Sequence, residues 1–368
     1  MQPNLSRWIP WPAVVGRSGP TWRMVVLAVA AAFVVASICC CSKSTQPRDV
    51  KYNIYIGAMH LAANDDDSTY SRIYIYDADS LTILDSICRE HEAESVCASP
   101  DGRSLYVVDR IAYNLASRLS KIEIHSKQVV WVRENLGGYP RFVSNGKFLL
   151  CGKDVLKPDD GTRLRRFSDS LWTMFGPVSG TKVAAVRDLV VTLIDVTTGE
   201  SSGRWVPRLS NGLALDVGYA RLHPDGRRVL AIGLYGNVEY SWFVVGDVMT
   251  GETLFEYRVS LSNGEIAVSE NGSVAVVTDP PGAWGYEQTL NVIDLDHLTL
   301  IRKFTNELAL QSQVRFLPDN MHVALARPSG IYHTGPLQIV GLNGMSVRGA
   351  QLPSHSPFIG GLDIGPRP

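Results

Sequence analysis

The chain has 368 residues, of which 45% are hydrophobic, and its formal net charge is −1. A chain of this length can bury a large core, so folding does not require disulfides or metals. Nucleic acids are bound by strongly basic surfaces. The 35 Lys and Arg residues against 36 Asp and Glu residues do not supply one, which argues against nucleic acid as a main partner.

The beginning of the chain differs in composition from the rest. Three arginines precede an uncharged run, rich in Val and Ala, over Met24–Cys41. Positive residues before an apolar run favour a cytoplasmic N-terminus and an exported remainder. We therefore predict a signal peptide or membrane anchor over residues 1–41 and a polar tether over residues 42–51.

Three cysteines end the apolar run. A cysteine directly after such a segment resembles a bacterial lipoprotein signal, in which the cysteine is lipidated and becomes the new N-terminus. The resemblance makes Cys39 and Cys40 lipidation candidates. Ile38 stands where the cysteine of such a signal belongs, so an uncleaved anchor and a plain cleaved signal remain alternatives. All three predict export to the periplasmic or cell-surface face of a bacterial membrane.

Six turn signals recur along the remaining chain, and their last residues lie 34 to 48 positions apart. Pro presets φ in such turns, Asp bonds nearby backbone, and Gly accepts positive φ. A spacing of roughly 40 to 50 residues, filled with β-rich stretches, is typical of propeller blades. The six signals are Ser99–Gly102, Ser144–Gly146, Ser179–Gly180, Pro224–Gly226, Glu270–Gly272 and Pro318–Asn320.

A second kind of turn follows β-rich stretches that end in aspartate. A further β-rich stretch comes after each of these turns, so each period holds four strands: inner strand A, then B, C and outer strand D. The period around Lys153–Phe167 is short and predicts compressed C and D strands. The aspartates are Asp77, Asp195, Asp247 and Asp294.

This order of strands and turns resembles a known repeat. An apolar strand, Ser-Pro-Asp-Gly, a second apolar strand and an aspartate-ended strand before Thr-Gly are similar to the YVTN-type β-propeller repeat. The resemblance covers residues 52–368 and implies an all-β, seven-bladed propeller of four-stranded antiparallel blades. It implies little about function, because propellers host unrelated activities.

Seven inner strands can be counted, and the last of them, Phe358–Ile364, has no B, C or D strand after it. The stretch Tyr52–Ile56 begins a blade that lacks strand A. We predict that the C-terminal strand pairs with the N-terminal blade and closes the ring, which removes two open sheet edges. The seven strands are centred near Val96, Arg141, Thr173, Tyr219, Ile266, Val314 and Gly361.

Three cysteines lie within the repeats. A Cys88–Cys97 disulfide and buried free thiols are both compatible with an exported protein that has an odd number of them. Cys97 and Cys151 lie inside apolar strand patterns, which favours free buried thiols at these two positions.

The predicted loops are unequal. The A–B and C–D turns of a propeller share one face, and here they are mostly tight. The B–C and D–A loops share the other face, and several are long. Because binding sites are usually carried by long loops on a rigid scaffold, we expect function at this face and at the mouth of the central channel. The long loops are Met59–Ser71, Arg110–Ser120, Asp279–Gln288, Arg327–Gly335, Cys88–Glu94 and Pro207–Leu215.

Several residues are candidates for ligand binding. Trp284 and Tyr286 follow a stiff Pro-Pro-Gly and suit stacking on a sugar or peptide, or packing on their own blade. Tyr332 and His333 lie in another long loop. Asp65, Asp66 and Asp67 could bind calcium, although a solvated acidic loop is the alternative. Residues at the start of inner strands point to the channel, where they grip a polar ligand or line water: Glu94, Tyr139, Arg141, Trp172, Tyr219, Arg221, Glu265 and Gln313.

No local nucleophile, haem, zinc-protease or phosphate-loop motif is present in the sequence. We therefore expect a monomeric binding platform, without a cofactor, that is tethered to the membrane and recognises an envelope protein, a peptide or a glycan. Two alternatives remain: a propeller-type lactonase or hydrolase with its site at the channel mouth, and a structural subunit of an envelope complex.

Overall fold

A computed structural model describes most of the chain. The predicted signal or anchor, with Cys39 and Cys40, lies outside the described residues. Within the part that the structure describes, no helix is long and apolar enough to cross a bilayer. The described residues are 50–60, 70–111, 117–168, 173–175, 180–234, 240–260, 264–279, 289–305, 313–326, 337–344, 347–350 and 358–368.

The described residues contain 28 β-strands, which form seven sheets of four antiparallel strands each. Blade 1 consists of β28 (Phe358–Pro366), β1 (Tyr52–His60), β2 (Tyr70–Asp77) and β3 (Ile83–Arg89). Blade 2 consists of β4 (Glu92–Ala98), β5 (Ser104–Arg110), β6 (Ser117–Glu123) and β7 (Val129–Glu134). Blade 3 consists of β8 (Arg141–Val143), β9 (Phe148–Cys151), β10 (Asp154–Leu156) and β11 (Arg163–Arg166).

The remaining four blades follow in chain order. Blade 4 consists of β12 (Thr173–Phe175), β13 (Lys182–Arg187), β14 (Val190–Asp195) and β15 (Ser201–Trp205). Blade 5 consists of β16 (Asp216–Leu222), β17 (Arg228–Leu234), β18 (Tyr240–Asp247) and β19 (Glu252–Ser260). Blade 6 consists of β20 (Ile266–Val268), β21 (Val274–Asp279), β22 (Thr289–Asp294) and β23 (Thr299–Thr305). Blade 7 consists of β24 (Gln313–Phe316), β25 (His322–Ala326), β26 (Leu337–Gly341) and β27 (Val347–Ala350).

The hydrophobic core is divided among the spaces between neighbouring blades. Seven apolar clusters each join one blade to the next. The cluster that joins the last blade to the first includes Leu337 and Ile339 from blade 7, with Ile54 and Tyr76 from blade 1. Seven blades with seven such interfaces form a closed ring, so the predicted seven-bladed propeller is confirmed.

The ring is closed by the two ends of the described chain. Strand β28 pairs antiparallel with β1, from Tyr52 opposite Pro366 to Met59 opposite Phe358. Just after the strand, Arg367 forms an ion pair with Asp77. The predicted pairing of the C-terminal strand with the N-terminal blade is therefore confirmed, and all seven predicted inner strands are found.

A glycine allows the closing strand to lie against blade 2. A Cβ atom on Gly361 would meet the Val96 backbone nitrogen at 2.6 Å and the Ser95 Cα at 2.9 Å. Both atoms belong to backbone, which cannot move aside as a side chain does. Gly361 is therefore required at this position by the close approach of two inner strands.

Aspartates make the tight turns on one face. In the C–D turn of blade 4, Asp195 accepts hydrogen bonds from the backbone amides of Thr197 and Thr198 at 2.8 and 3.1 Å. In the A–B turn of blade 5, Asp225 accepts from the amides of Arg227 and Arg228 at 2.8 and 2.9 Å. We name the side of the ring that carries these turns the tight-turn face and the opposite side the long-loop face.

One predicted loop is wrong. The D–A loop predicted as long over Cys88–Glu94 is short, because β3 continues to Arg89 and β4 starts at Glu92. The charged residues that suggested a loop belong to strands: Arg89 is buried and forms an ion pair with Asp109 of blade 2. The long D–A loop over Pro207–Leu215 is confirmed between β15 and β16.

The three cysteines of the repeats are free thiols. Cys88 is exposed on outer strand β3, whereas Cys97 is buried on inner strand β4, so the possible Cys88–Cys97 disulfide is not formed. The prediction of buried free thiols at Cys97 and Cys151 is confirmed. Burial raises the pKa of the Cys151 thiol to about 12, which keeps it protonated at neutral pH.

Candidate channel-mouth site

The inner strands present equivalent repeat positions to the centre of the ring. Strand register aligns Arg141 opposite Leu150, Arg221 opposite Leu230, and Arg315 opposite Ala324. Each pair lies the same distance from its A–B turn. Three alternate blades, 3, 5 and 7, therefore place an arginine at one level of the channel. Blade 1 has Asp363 at this level, opposite Tyr55.

The residues two positions earlier in each inner strand form a second level of the channel. Because side chains two apart lie on the same side of a strand, this level also faces the channel. Its residues are nearer the long-loop face, since strand A runs from that face to the A–B turn. Among the residues whose side chains are described, the members of this level are Ser95, Tyr139, Tyr219, Glu265, Gln313 and Gly361.

Glu265 is the centre of the polar contacts. Its Oε2 accepts a hydrogen bond of 2.9 Å from the Val314 amide, and its Oε1 accepts one from Arg315. The Tyr219 hydroxyl donates to Oε1 at 3.5 Å. The backbone amide of Glu265 is itself held by the Thr278 hydroxyl at 2.8 Å. This carboxylate thus links blades 5, 6 and 7.

Arg141 reaches the same carboxylate from across the ring. Its Nη2 lies 3.7 Å from Oε1 of Glu265. Arg141 is in blade 3 and Glu265 precedes the first strand of blade 6, and these blades are as far apart as a ring of seven allows. Both side chains are largely buried, with 16% and 11% of their surfaces exposed. The channel is therefore spanned by charged groups at this level.

Arg315 lies between two carboxylates. Burial alone would lower the pKa of Arg315, but the nearby charges of Glu265 and Asp363 raise it further above its usual value. Nε of Arg315 is 3.8 Å from the Asp363 carboxylate. Asp363 also accepts a hydrogen bond of 2.7 Å from the Ala98 amide. The guanidinium of Arg315 is accordingly a permanent positive charge in the channel.

Arg221 has no carboxylate within ion-pair distance among the described residues. Its Nη1 donates to the Ile266 carbonyl at 3.0 Å. Burial lowers the pKa of Arg221, and the positive charges of Arg141 and Arg315 act in the same direction. An arginine remains protonated even so. Three arginines are thus close enough to repel one another beside the carboxylates of Glu265 and Asp363.

Three β-bulges shape the inner strands. The register shifts between Ala93 and Ser95 in β4, between Val217 and Tyr219 in β16, and between Ile359 and Gly361 in β28. A bulge adds one unpaired residue and redirects the neighbouring side chains. At the outer rim, Glu94, the extra residue of β4, accepts a hydrogen bond of 2.9 Å from Arg110.

A small pocket opens beside the arginines, with a volume of about 10 Å³. Pockets for drug-sized ligands measure roughly 300 to 1,000 Å³. The pocket therefore has room for about one water-sized group instead of a whole ligand. Its polar lining residues are Ser95, Tyr139, Arg141, Gln313 and Arg315.

The structure brings together many of the predicted channel residues. Tyr139, Arg141, Tyr219 and Arg221 surround one mouth, as do Glu265 and Gln313. In the parts that the structure describes, no three His, Cys, Asp or Glu side chains are grouped as metal ligands. The other candidates lie outside the residues whose side chains are described: Trp172, Trp284, Tyr286, Tyr332, His333, Asp65, Asp66 and Asp67.

Arg315 and Asp363 were missed by sequence reasoning. The available signal was the repeat itself: Arg141, Arg221 and Arg315 each stand three residues before the residue that opens an A–B turn. Aligning the blades on their turns would have placed Arg315 beside the other two. Asp363 occupies the equivalent position before Pro366, in the strand that closes the ring.

No family model matches the chain, and no curated protein matches it either. Solved structures do. A functionally unknown protein from Desulfotomaculum acetoxidans is 13% identical, with 85% of this chain and 99% of that chain covered and a TM-score of 0.59.

Two further solved structures are similar. A 6-phosphogluconolactonase candidate from Bacteroides fragilis is 12% identical, with 88% and 99% of the two chains covered and a TM-score of 0.55. TolB from Acinetobacter baumannii is 15% identical, with 87% of this chain and 67% of that chain covered and a TM-score of 0.51. At these identities the similarities show the fold alone, and that fold is the β-propeller.

Proposed function

We propose that this protein is an exported, membrane-tethered propeller that binds an envelope protein, a peptide or a glycan through its long-loop face and channel mouth. The observation that carries the proposal is convergence: polar side chains from blades 1, 3, 5, 6 and 7 meet at one channel mouth. The longest strand connections lie on the same face. A rigid ring that presents polar groups and long loops on one side suits recognition.

The contacts of Glu265 indicate a positioning role. Both oxygens of Glu265 already accept hydrogen bonds, from the Val314 amide and from Arg315. This carboxylate therefore serves to hold neighbouring blades together and to position arginines.

The described chain enters the propeller at the start of β1. The carbonyl of Tyr52 accepts a hydrogen bond from Ala78 in a C–D turn, so this entry lies on the tight-turn face. The proposed tether rests on the resemblance of the apolar run over Met24–Cys41 to lipoprotein signals.

Capture of partners from envelope extract tests the proposal. We expect replacement of Trp284 and Tyr286 by Ala to reduce the captured partner without lowering the melting temperature, because both residues belong to a long loop on the binding face. The matched control replaces Met249 and Met321, which are exposed on the tight-turn face, by Ala. Equal capture by both double variants would contradict a role for this loop.

A second candidate function is hydrolysis of a lactone or ester. The fold similarity to the 6-phosphogluconolactonase candidate favours it, together with the tyrosine, arginine and glutamate side chains at the mouth. Metal analysis of the purified protein, combined with a hydrolysis assay before and after chelation, separates the two functions. Turnover lost together with a stoichiometric metal supports the enzyme, whereas partner capture without turnover supports the binding platform.

A further inference from the structure

The arginines of the channel mouth have side-chain donors that no described residue accepts from. Among the described residues, the Arg141 side chain makes no hydrogen bond, since its 3.7 Å approach to Glu265 is too long for one. Nε of Arg315 is buried without a hydrogen-bond partner. An unsatisfied buried donor destabilises the folded state, so its retention calls for an explanation.

The charges at this level do not balance. Arg141, Arg221 and Arg315 face two carboxylates, Glu265 and Asp363, which leaves one positive charge without a counterpart. At the rim, Arg110 is shared by Glu94 and Glu92, which lie outside the pocket lining. A single negative charge beside Arg141 would pair with its unused donors, whereas the surplus negative charge of Glu92 and Glu94 over Arg110 disfavours a doubly charged group.

The pocket beside these arginines limits the size of that group. Arg141, Arg315 and Gln313 line it from blades 3 and 7, and Tyr139 stands at its edge with about half of its surface exposed. A guanidinium matches the two oxygens of a carboxylate in a bidentate pair, which is among the strongest hydrogen-bonded contacts in proteins. Because the pocket volume is only about 10 Å³, a carboxylate would enter it with its oxygens alone and leave the rest of the ligand on the long-loop face.

We propose that this pocket binds the carboxylate group of the ligand, with Arg141 as its main partner and Arg315 beside it. The inference rests on the proposed binding function and specifies the chemistry that the site recognises. The carboxylate comes either from a small organic acid or from the C-terminus of a peptide. In both cases Glu265 positions Arg315, and the ligand carboxylate accepts hydrogen bonds from the unused donors of Arg141 and Arg315.

Binding of sodium acetate to the full chain tests the proposal. We expect acetate to raise the melting temperature more than sodium chloride does at equal ionic strength, because it binds the folded protein selectively. Acetamide, which has the same shape without the charge, should have no effect. Replacement of Arg141 by Gln should weaken acetate binding by roughly tenfold or more, the factor expected when a charged hydrogen bond is lost.

The matched control is Arg103→Gln, which removes an exposed arginine from the tight-turn face and should leave acetate binding unchanged. If Arg141→Gln does not fold, Arg141→Lys keeps the charge and should still weaken binding, since it loses the bidentate geometry. The proposal is overturned if acetate acts no differently from chloride, if the Arg141 variants bind as the wild type does, or if phosphate binds more tightly than acetate.

A tripeptide, Ala-Ala-Ala, distinguishes the two sources of the carboxylate. Tighter binding than acetate, abolished by C-terminal amidation, identifies a peptide C-terminus, and equal binding identifies a small acid. Failure of this inference is separable from failure of the proposed function. Partner capture that persists without any acetate binding removes the carboxylate site alone, whereas acetate binding without capture of any partner removes the platform.

Discussion

The protein contains two clusters of buried charge that use the same residue types in opposite ways. Between blades 1 and 2, the fully buried Asp109 pairs with Arg89 and Arg118 and accepts a hydrogen bond of 3.3 Å from Ser120. We name this group the Asp109 cluster. At the channel mouth, Arg141 and Arg221 have no hydrogen bond to a carboxylate among the described residues.

The difference separates charges that hold the fold from charges that, in our proposal, are presented to a ligand. A buried carboxylate with several donors fixes its neighbours, and removal of one partner leaves a charge stranded. Arginines with spare donors are already partly unsatisfied, so the fold depends on them less. Stability should therefore respond strongly to changes in the Asp109 cluster, and binding should respond to changes at the channel mouth.

The largest effect on stability is expected for deletion of strand β28, which belongs to both the ring closure and the channel. Strand β28 closes the ring and brings Asp363 to the mouth. Deletion of residues 358–368 should abolish cooperative thermal unfolding, because it removes the innermost strand of blade 1 and leaves the inner edge of β1 unpaired. Circular dichroism during heating measures this, and a synthetic peptide of residues 358–368 should restore the transition in part. A truncated chain that melts like the intact one would contradict the closure.

Replacement of Asp109 by Ala comes next. We expect a loss of about 3–5 kcal/mol in the free energy of unfolding, because Arg89 would remain buried without its carboxylate. Urea denaturation measures the loss. The control is Asp188→Asn, which removes the charge of a carboxylate with 78% of its side chain exposed and keeps a residue suited to its positive φ, so stability should change by less than about 0.5 kcal/mol. Equal losses of stability in the two variants would show that the Asp109 cluster does not stabilise the fold more than an exposed charge does.

The turn aspartates should have an intermediate effect, one that depends on pH. Hydrogen bonds from Thr197, Thr181 and the turn amides outweigh burial and lower the pKa of Asp195 to about 2. Since the folded pKa lies below the unfolded value of about 3.9, Asp195 stabilises the fold above pH 4, and this contribution is lost as the pH falls toward 2.

Substitution isolates that contribution. Asp195→Asn should lower stability by about 1–2 kcal/mol at neutral pH, and the difference from the wild type should shrink as the pH approaches 2. Urea denaturation at pH 7 and at pH 2.5 measures both values. A difference that stays constant between the two pH values would show that the charge of Asp195 does not matter.

The smallest effect on stability is expected for Arg141. Because its ion pair with Glu265 is long and two other arginines repel it, Arg141→Gln should change the free energy of unfolding by less than about 1 kcal/mol. Urea denaturation beside the Asp109 variant provides the contrast. A loss as large as that of Asp109→Ala would place Arg141 among the structural charges.

The fold was predictable because its signals are local and repeated. Turn residues such as Pro224, Asp225 and Gly226 act within a few positions, and the A–B turn recurs at a nearly constant spacing. The missing inner strand at the start and the unpaired strand at the end implied closure. The short D–A loop after Arg89 was not predictable, because charge suggested solvent and the partner, Asp109, lies twenty residues away in another blade.

The site was predictable only in part. Tyr139, Arg141, Tyr219 and Arg221 were found because inner strands must face the channel. The contact between Arg141 and Glu265 crosses the whole ring, and no local pattern indicates which side chains meet there. The bulges that redirect β4 and β16 were also hidden, since one extra residue leaves the alternation of each strand almost unchanged.

The central claim is that the channel mouth recognises a partner. Its most direct test compares the wild type with a double variant, Arg141→Gln with Arg221→Gln, in capture of partners from envelope extract under native conditions. The account predicts at least a tenfold fall in captured partner at an unchanged melting temperature, roughly the loss of one or two charged contacts. Undiminished capture by a fully folded double variant would contradict it.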